Sequence, residues 1–186
     1  MILGILGSAS KDSITRVALL AVRDRLVAAG ESFDLVDLAV EYRELHDVEQ
    51  YDDPDPVSQT WALRRRVAAA AAVVLATPVY HGSFSGLLKN AVDHLLGDAF
   101  AGRPVGLVAN GGGPRSGGGA CDQLRSVVRA LGGWSAPTHL AITGADFIDS
   151  RPSRFTSERM DALVNELRTF ATASRTGFTT ECPATG

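Results

Sequence analysis

The strongest constraint on the fold of this chain is a regular alternation between short apolar runs and longer amphipathic segments. Five apolar runs occupy residues 1–6, 33–38, 72–77, 103–109 and 134–142. The first run is apolar throughout, as expected of a parallel strand that is buried on both faces. Repeated βα units of this kind predict a single α/β domain over residues 1–175, with a doubly wound, five-stranded parallel sheet and helices on both of its faces.

The segments between the apolar runs carry apolar residues at helical spacing. This spacing favours helices over residues 14–29, 58–70, 85–96, 120–131 and 157–173. Residues 39–56 are acidic and contain two prolines. We call this segment the excursion; it is longer than an ordinary connection, and long connections are commonly functional. Residues 176–186 are predicted to form a flexible C-terminal tail.

Composition narrows the possible functions. The 186-residue chain is 45% hydrophobic and has a formal net charge of −3, which gives no electrostatic basis for binding nucleic acid or an anionic membrane. It has no apolar stretch of the roughly 18 residues that a spanning helix needs, and it begins in an apolar strand without a basic leader. Two cysteines, Cys121 and Cys182, are too few for a structural zinc site. We therefore expect a cytoplasmic domain without a metal site.

In a doubly wound sheet, the ligand lies beyond the carboxyl ends of the strands, where the strand order reverses. For the strand order 2-1-3-4-5, that point lies between the first and third predicted strands. The loops there span residues 7–15 and 78–84, and they are two of the most distinctive loops in the sequence. This coincidence predicts a binding site built from these two loops.

The first loop has the character of a phosphate site. It leads directly into a predicted helix that begins at Ile14, and its hydroxyl groups are those of Ser8, Ser10, Ser13 and Thr15. A helix N-terminus offers unpaired N–H groups and a partial positive charge, which suit a phosphate. The alternative is that Ser13 only caps the helix. A cap explains one hydroxyl, whereas four occur within eight residues.

Several phosphate ligands are excluded by the first loop. It lacks the G-x-G-x-x-G fingerprint of dinucleotide-binding folds, and the chain contains no G-x-x-x-x-G-K-[ST] stretch. The loop also lacks the cysteine nucleophile that a low-molecular-weight phosphatase of similar architecture requires. The sequence therefore predicts a site that binds a phosphomonoester without cleaving it.

The second loop carries a more specific pattern. Residues 76–93 read A-T-P-V-Y-H-G-S-F-S-G-L-L-K-N-A-V-D. This stretch resembles the NADPH-dependent FMN reductase family, whose members have P-x-Y followed by S-G-x-L-K-N at this spacing. Residues 7–15 resemble the G-S-x-x-x-x-S-x-T phosphate loop of the same family. The similarity extends over residues 1–142.

The resemblance implies a flavodoxin-like fold, FMN as cofactor and NADPH or NADH as co-substrate. It also implies a homodimer or homotetramer in which a neighbouring subunit completes the flavin site. In the family, the loops corresponding to residues 7–15 hold the FMN phosphate. Many members have an arginine where this chain has Ser10, and the nearest cations here are Lys11 and Arg16.

The second loop suits the ring of a flavin, which needs backbone groups close to its edge. The candidate contacts are Pro78, Val79, Tyr80, His81, Gly82 and Ser83. Proline fixes the exit from the strand, and glycine removes a side chain that would block the approach. We interpret His81 as a backbone contact, since hydride transfer from nicotinamide to flavin requires no protein acid or base. No catalytic residue is therefore predicted.

A third loop follows the fourth predicted strand. Its candidate contacts are Asn110, Gly111, Gly112 and Gly113. The resemblance places this loop at the pyrimidine end of the flavin, where converging backbone N–H groups can stabilise negative charge. The alternative is a flexible connector. Arg115 is a candidate contact for the phosphates of the nicotinamide nucleotide.

Together these features predict an FMN-dependent NAD(P)H oxidoreductase that passes electrons to a small-molecule acceptor. Free flavin for a partner monooxygenase, a quinone, an azo dye and chromate all suit such a site. One alternative is a flavodoxin-type electron carrier, although the mild charge and 6% aromatic content argue against it. Another is a flavin-dependent tailoring enzyme that uses the excursion as a lid. A binding or regulatory protein with a vestigial site is the last alternative.

Overall fold

The computed structural model describes residues 1–42 and 44–175. Five strands form one parallel sheet: β1 (Ile2–Leu6), β2 (Phe33–Asp37), β3 (Ala72–Tyr80), β5 (Pro104–Asn110) and β6 (Trp134–Ile142). Their order is β2-β1-β3-β5-β6, and a short strand β4 (Ser83–Phe84) pairs antiparallel with β3. Apart from β4, this is the predicted order 2-1-3-4-5. The fold class predicted from the sequence is confirmed.

The helices cover both faces of this sheet. They are α1 (Ile14–Ala28), α2 (Leu38–Glu41), α3 (Gln59–Ala69), α4 (Gly86–Asp93), α5 (Pro114–Ala130) and α6 (Arg154–Arg175). Side chains from α3, α4 and α5 pack on the face that carries Leu3 and Leu75, whereas α1 and α6 pack on the face that carries Ile2 and Val74. Because neighbouring strand residues point to opposite faces, an uninterrupted apolar run feeds both cores.

Some element bounds differ from the predicted ones. Helix α5 begins at Pro114, so the glycines between residues 114 and 119 belong to the helix and not to the preceding loop. Gly117 explains why: a Cβ there would lie 3.0 Å from Ala141 Cβ and 3.1 Å from the Ala109 carbonyl oxygen. Strand β3 extends to Tyr80 because its last two residues pair with β4. Helix α6 begins at Arg154, three residues earlier than predicted.

Charged side chains bind some of the backbone groups on both edge strands of the sheet. On β6, Arg125 donates to the carbonyl oxygens of Ala136 and Pro137, and Glu166 accepts from the backbone N–H of Thr138 at 2.8 Å. On β2, Arg66 donates to the Leu35 carbonyl oxygen at 2.6 Å. Backbone groups satisfied in this way are not free to pair with another strand.

The middle of the excursion is hydrogen-bonded to α4. Asn90 donates to the Glu44 carbonyl oxygen at 2.8 Å and accepts from the His46 backbone N–H at 3.0 Å. The buried ring of His94 lies 2.6 Å from the Thr60 hydroxyl and 3.3 Å from the Glu44 carbonyl oxygen. The excursion therefore packs against the domain. None of the helices in residues 1–42 and 44–175 is both long and apolar enough to cross a membrane; the predicted tail, 176–186, lies outside the described residues.

Candidate functional site

The first and second loops lie side by side at the carboxyl ends of β1 and β3. Leu6 pairs with Ala76 in the sheet, and the Gly7 N–H donates to the Ala76 carbonyl oxygen at 2.7 Å. The Ser85 hydroxyl donates to the Gly7 carbonyl oxygen at 2.6 Å, and the Ser85 N–H donates to the Thr77 hydroxyl at 2.9 Å. The structure thus brings together the two loops that the sequence singled out.

Close approach of the two loops requires glycine at position 7. A Cβ at Gly7 would lie 2.7 Å from Leu88 Cβ and 3.1 Å from Ser85 Oγ. Contacts shorter than about 3 Å cannot be relieved without moving one of the elements, since protein interiors are close-packed. The glycine at the end of β1 therefore fixes how near the first loop lies to α4.

The first loop ends in a capped helix N-terminus. Ser13 has extended backbone torsions, and its hydroxyl accepts from the Arg16 N–H at 3.2 Å, which makes it the N-cap of α1. The first-turn N–H groups that follow have no acceptor inside the helix. Ser8 is buried and accepts a long bond from the Ser10 N–H at 3.4 Å, whereas Ser10 itself is exposed.

Thr15 supplies a test of whether this loop fits a phosphate. Its side chain is fully buried, and its hydroxyl oxygen has no hydrogen-bond partner among the described residues. An unpaired buried hydroxyl is costly. An acceptor oxygen at the start of α1 would satisfy such a donor, and the first turn of α1 contains no acidic residue that would repel it. The donors present fit a phosphomonoester.

Arg16 is not available as the main counter-charge for that phosphate. Its guanidinium donates to Asp37 at 2.6 Å, and both side chains are largely buried. Asp37 also caps α2 by accepting from the Ala39 N–H at 3.2 Å. The cation named from the sequence is therefore engaged with the end of β2. Hydroxyls, backbone N–H groups and the exposed Lys11 remain around the loop.

The second loop is a two-residue hairpin turn between β3 and β4. Tyr80 pairs with Ser83, and the two residues between them have positive φ angles, 50° at His81 and 80° at Gly82. Positive φ at both central residues is the type I′ arrangement, which matches the twist of the flanking strands. Tyr80, His81 and Gly82 are exposed, whereas Pro78 is buried in the sheet. The backbone of this turn, which we call the hairpin turn (residues 80–83), is thus open to a ligand.

The third loop lies next to the second, because Asn110 pairs with Pro78 in the sheet. The Gly111 N–H donates to the Ile142 carbonyl oxygen at 3.0 Å, and a Cβ at Gly111 would lie 2.1 Å from Ser116 Oγ. Gly113 is the N-cap of α5 and has no side chain to cap the helix. Of the first-turn residues, Pro114 has no N–H, and the Ser116 N–H donates to the Gly113 carbonyl oxygen at 3.1 Å. The side-chain oxygen of Asn110 is buried without a partner among the described residues. All three predicted loops therefore meet along one edge.

Two residues that connect these loops, Ser85 and Gln123, are not among the site residues predicted from the sequence. Ser85 lies at the start of a predicted helix, and it joins the first loop to the second. Gln123 on α5 donates to the Gly82 carbonyl oxygen at 3.0 Å and accepts from the Ser83 hydroxyl at 2.5 Å. A serine directly before an apolar-periodic segment marks an N-cap and was a signal for Ser85; nothing in the sequence marked Gln123.

A mainly apolar cavity of about 500 Å³ adjoins the first loop. It lies between the first loop, the start of the excursion and the N-terminus of α4, and its lining residues are Ala9, Leu38, Ala39, Tyr42, Leu45, Gly86, Leu87 and Asn90. Burial raises the pKa of the Tyr42 hydroxyl, so this group is neutral over the physiological pH range. The excursion thus supplies one wall of a space beside the predicted site.

The fold and the site together define a class. The strand order reverses between β1 and β3, beside the N-terminus of α1 and the hairpin turn. This arrangement is typical of flavodoxin-like proteins that bind a phosphorylated cofactor at the switch point. Sequence comparison identifies the family: the model of the NADPH-dependent FMN reductases matches residues 1–146, and the chain belongs to that family. The resemblance stated from the two loops is confirmed.

Individual relatives agree with this assignment. The FMN-dependent NADPH-azoreductase of Staphylococcus aureus is 47% identical over 85 residues, which cover 46% of this chain and 45% of the relative. The matched stretch thus spans less than half of that protein. An oxidoreductase from Corynebacterium diphtheriae has the same fold, with a TM-score of 0.72, 23% identity and coverage of 92% of this chain and 96% of that one. FerB, an NAD(P)H:(acceptor) oxidoreductase from Paracoccus denitrificans, also has this fold, with a TM-score of 0.71, 19% identity and coverage of 91% of this chain and 97% of that one.

Proposed function

We propose that this protein is an FMN-dependent NAD(P)H oxidoreductase that transfers electrons to a small-molecule acceptor. The observation that carries the proposal is the meeting of the three loops at the carboxyl ends of β1, β3 and β5, in a chain of the NADPH-dependent FMN reductase family. Bound FMN supplies the redox chemistry, because it accepts a hydride from a reduced nicotinamide.

The first loop would hold the FMN phosphate. The proposed contacts are the hydroxyl and N–H groups of Ser8, Ser10, Ser13, Ile14 and Thr15. Two observations support this assignment: the capped N-terminus of α1, and the buried hydroxyl of Thr15 that lacks a partner in the described part of the chain. The helix dipole offsets part of the phosphate charge, so a dedicated arginine is not required.

The second and third loops would hold the flavin ring. Backbone groups of Pro78, Val79, Tyr80, His81, Gly82 and Ser83 would contact one edge, and those of Asn110, Gly111, Gly112 and Gly113 the pyrimidine end. The chain would position the ring, which would make hydride transfer an oriented step. The exposed His81 ring needs no acid or base role in this scheme.

The acceptor is proposed from the relatives and from the site. The azoreductase of Staphylococcus aureus supports azo compounds, and the apolar cavity beside the first loop suits flat organic molecules such as quinones or free flavin. If free flavin is the acceptor, a partner monooxygenase would consume the reduced flavin. A flavin-dependent tailoring enzyme is the second candidate function, favoured by the wall that the excursion contributes to that cavity.

The test is an absorption spectrum of the purified protein after FMN is added and excess is removed, followed by anaerobic titration with NADPH and, separately, NADH. We expect retained flavin bands that bleach with one mole of reduced nicotinamide per mole of FMN. In a separate aerobic assay, steady oxidation of the nicotinamide with oxygen as the acceptor and no organic substrate added argues against the tailoring enzyme. Retained FMN that stays oxidised would refute the oxidoreductase, and no retained FMN would refute the site.

We also propose a homodimer or a homotetramer as the working form, in the cytoplasm. Charged side chains bind backbone groups of both edge strands, and we place the contact on another surface. The excursion offers the exposed apolar side chains Val40, Leu45 and Val48. Sedimentation equilibrium of the wild type and of Leu45→Glu tests this. We expect a mass of 39 kDa or more for the wild type, twice the 19.6 kDa of one chain, and a larger monomer fraction for the variant.

A further inference from the structure

The hairpin turn is held from outside by a residue that is not in any of the three loops. Gln123 projects from α5 and forms two reciprocal hydrogen bonds with the turn: its amide N–H donates to the Gly82 carbonyl oxygen at 3.0 Å, and its amide oxygen accepts from the Ser83 hydroxyl at 2.5 Å. Both bonds connect residues about 40 positions apart in the chain. The position of the hairpin turn is therefore fixed by α5 as well as by the strands that it connects.

The turn needs such a restraint because of its backbone conformation. His81 has a φ of 50°, a left-handed value that a non-glycine residue rarely adopts and that stores strain. Gly82 has a φ of 80°, and a Cβ there would meet nothing within 4 Å among the described residues. Side-chain packing thus does not restrain the torsions of Gly82, and glycine itself allows a wide range of them. A hydrogen bond to the Gly82 carbonyl oxygen restrains them directly.

Helix α5 is a rigid support for this bond. The third loop lies at the N-terminus of α5. Gly117 lets α5 approach β5 and β6 closely, because a Cβ at position 117 would lie 3.0 Å from Ala141 Cβ. Leu124, the neighbour of Gln123, is fully buried in the core. The same helix therefore carries the third loop and holds the second, and it fixes the distance between them.

Gln123 itself is exposed and contributes nothing to the core. Its two bonds go to the hairpin turn, and α5 forms without its side chain. Removal of the amide therefore changes the turn and spares the fold, which separates a positioning role from a general structural one.

We propose that Gln123 is the positioning residue of the flavin ring: it holds the peptide groups of the hairpin turn at the spacing from the third loop that the ring requires. This inference rests on the proposed function, in which the turn contacts the ring and the first loop contacts the phosphate. It goes beyond that proposal because a residue of α5, outside the three loops, sets the position of the backbone groups that contact the ring.

The division between ring and phosphate gives the experiment its readout. Riboflavin has the same ring as FMN and no phosphate, so loss of a ring contact weakens both ligands by the same factor. We expect Gln123→Ala to raise the dissociation constants of FMN and riboflavin each about tenfold, as measured by quenching of flavin fluorescence. Tenfold corresponds to about 1.4 kcal/mol, within the range of two net hydrogen bonds. Ser13→Ala should weaken FMN much more than riboflavin.

A charge variant tests the donor bond separately. In Gln123→Glu the carboxylate accepts from the Ser83 hydroxyl but cannot donate to the Gly82 carbonyl oxygen. Protonation near pH 4.3 restores a donor. We therefore expect weak riboflavin binding by this variant at pH 7 and recovery of several-fold at pH 4.5, with no such recovery in Gln123→Ala. A residue that only stabilised the fold would not produce this pH profile.

Ser126→Ala is the matched control, since Ser126 is exposed one turn further along α5. We expect wild-type affinities for it, and we expect deuterium exchange of residues 79–85 in the apoprotein to rise in Gln123→Ala and not in the control. Equal flavin affinities for the wild type and Gln123→Ala would overturn the inference and leave the proposed function intact. Failure of the wild type to bind either flavin would overturn both. A loss confined to FMN would place the effect of Gln123 at the phosphate and so contradict it.

Discussion

Replacement of Ser85 by alanine is the sharpest test of how the site is assembled. The Ser85 side chain is 2% exposed and makes two bonds: its hydroxyl oxygen accepts from the Leu88 N–H at 3.1 Å, as the N-cap of α4, and its hydroxyl donates to the Gly7 carbonyl oxygen at 2.6 Å. One atom thus caps the helix after the second loop and holds the start of the first.

The cost of the substitution follows from these two bonds. Loss of a serine N-cap destabilises by about 1 kcal/mol. The buried Gly7 carbonyl oxygen then lacks this donor, which costs about 1–3 kcal/mol. We therefore expect Ser85→Ala to lower the free energy of unfolding by about 2–4 kcal/mol. Domains are stable by about 5–15 kcal/mol, so the variant should still fold.

Urea unfolding of the apoprotein measures this loss, with an unchanged dependence on denaturant. The melting temperature should fall by roughly 10 °C, since each kcal/mol shifts it by about 2–4 °C in a domain of this size. Saturating FMN should raise the stability of the wild type more than that of the variant, because a ligand stabilises in proportion to the logarithm of its affinity. The exposed Ser126→Ala serves as the control, with a change within about 0.5 kcal/mol.

Two results would refute the reasoning. A loss below about 0.5 kcal/mol would mean that neither bond of Ser85 contributes as the geometry indicates. An equal stabilisation by FMN in the wild type and in Ser85→Ala would mean that the relation between the first and second loops is set elsewhere.

Three further predictions concern the rest of the molecule. Ser13→Ala should weaken FMN about tenfold and cost about 1 kcal/mol of stability through the lost N-cap; equal weakening of FMN and riboflavin would contradict a phosphate role. Burial, with the nearby positive groups, lowers the pKa of His94 below 6.5, so the stability it contributes is complete above about pH 6.5 and is lost as the pH falls below that value. Urea unfolding at pH 7.5 and 5.5 should show a smaller loss of stability in His94→Asn than in the wild type. The half-buried His139, whose pKa is also lowered by desolvation, supplies the remaining loss. An unchanged loss in His94→Asn would count against this role of His94. Burial raises the pKa of the Cys121 thiol to about 12. In a Cys182→Ser variant, where Cys121 is the remaining cysteine, a thiol-specific disulfide reagent at pH 8 should therefore not react with the native protein. Rapid stoichiometric reaction would show that Cys121 is accessible.

The strands, the first helix N-terminus and the fold class could be predicted because they depend on local pattern, and the doubly wound fold class implies the strand order. Apolar runs such as residues 1–6 are buried on both faces only in a covered parallel sheet. A polar loop with Ser13 before an apolar-periodic segment marks a helix N-terminus wherever it occurs. From the strand order alone, the first and second loops had to meet at the switch point.

Other features depended on contacts between distant parts of the chain. Gly117 looked like part of a loop, because a glycine inside a helix is unfavourable by itself; its position makes sense only once α5 lies against Ala141. Arg16 is one of the two cations nearest the first loop in the sequence, but Asp37 at the end of β2 lies 2.6 Å from its guanidinium.

The sequence by itself thus determined the parallel sheet, the family and the three loops that form the candidate site. Only the tertiary structure decided which side chains hold those loops in register: Ser85 reaches Gly7 across 78 residues, and Gln123 reaches the hairpin turn across about 40. The physical reason is that backbone propensity and apolar periodicity act over a few residues, whereas a hydrogen bond depends on where folding places two groups in space.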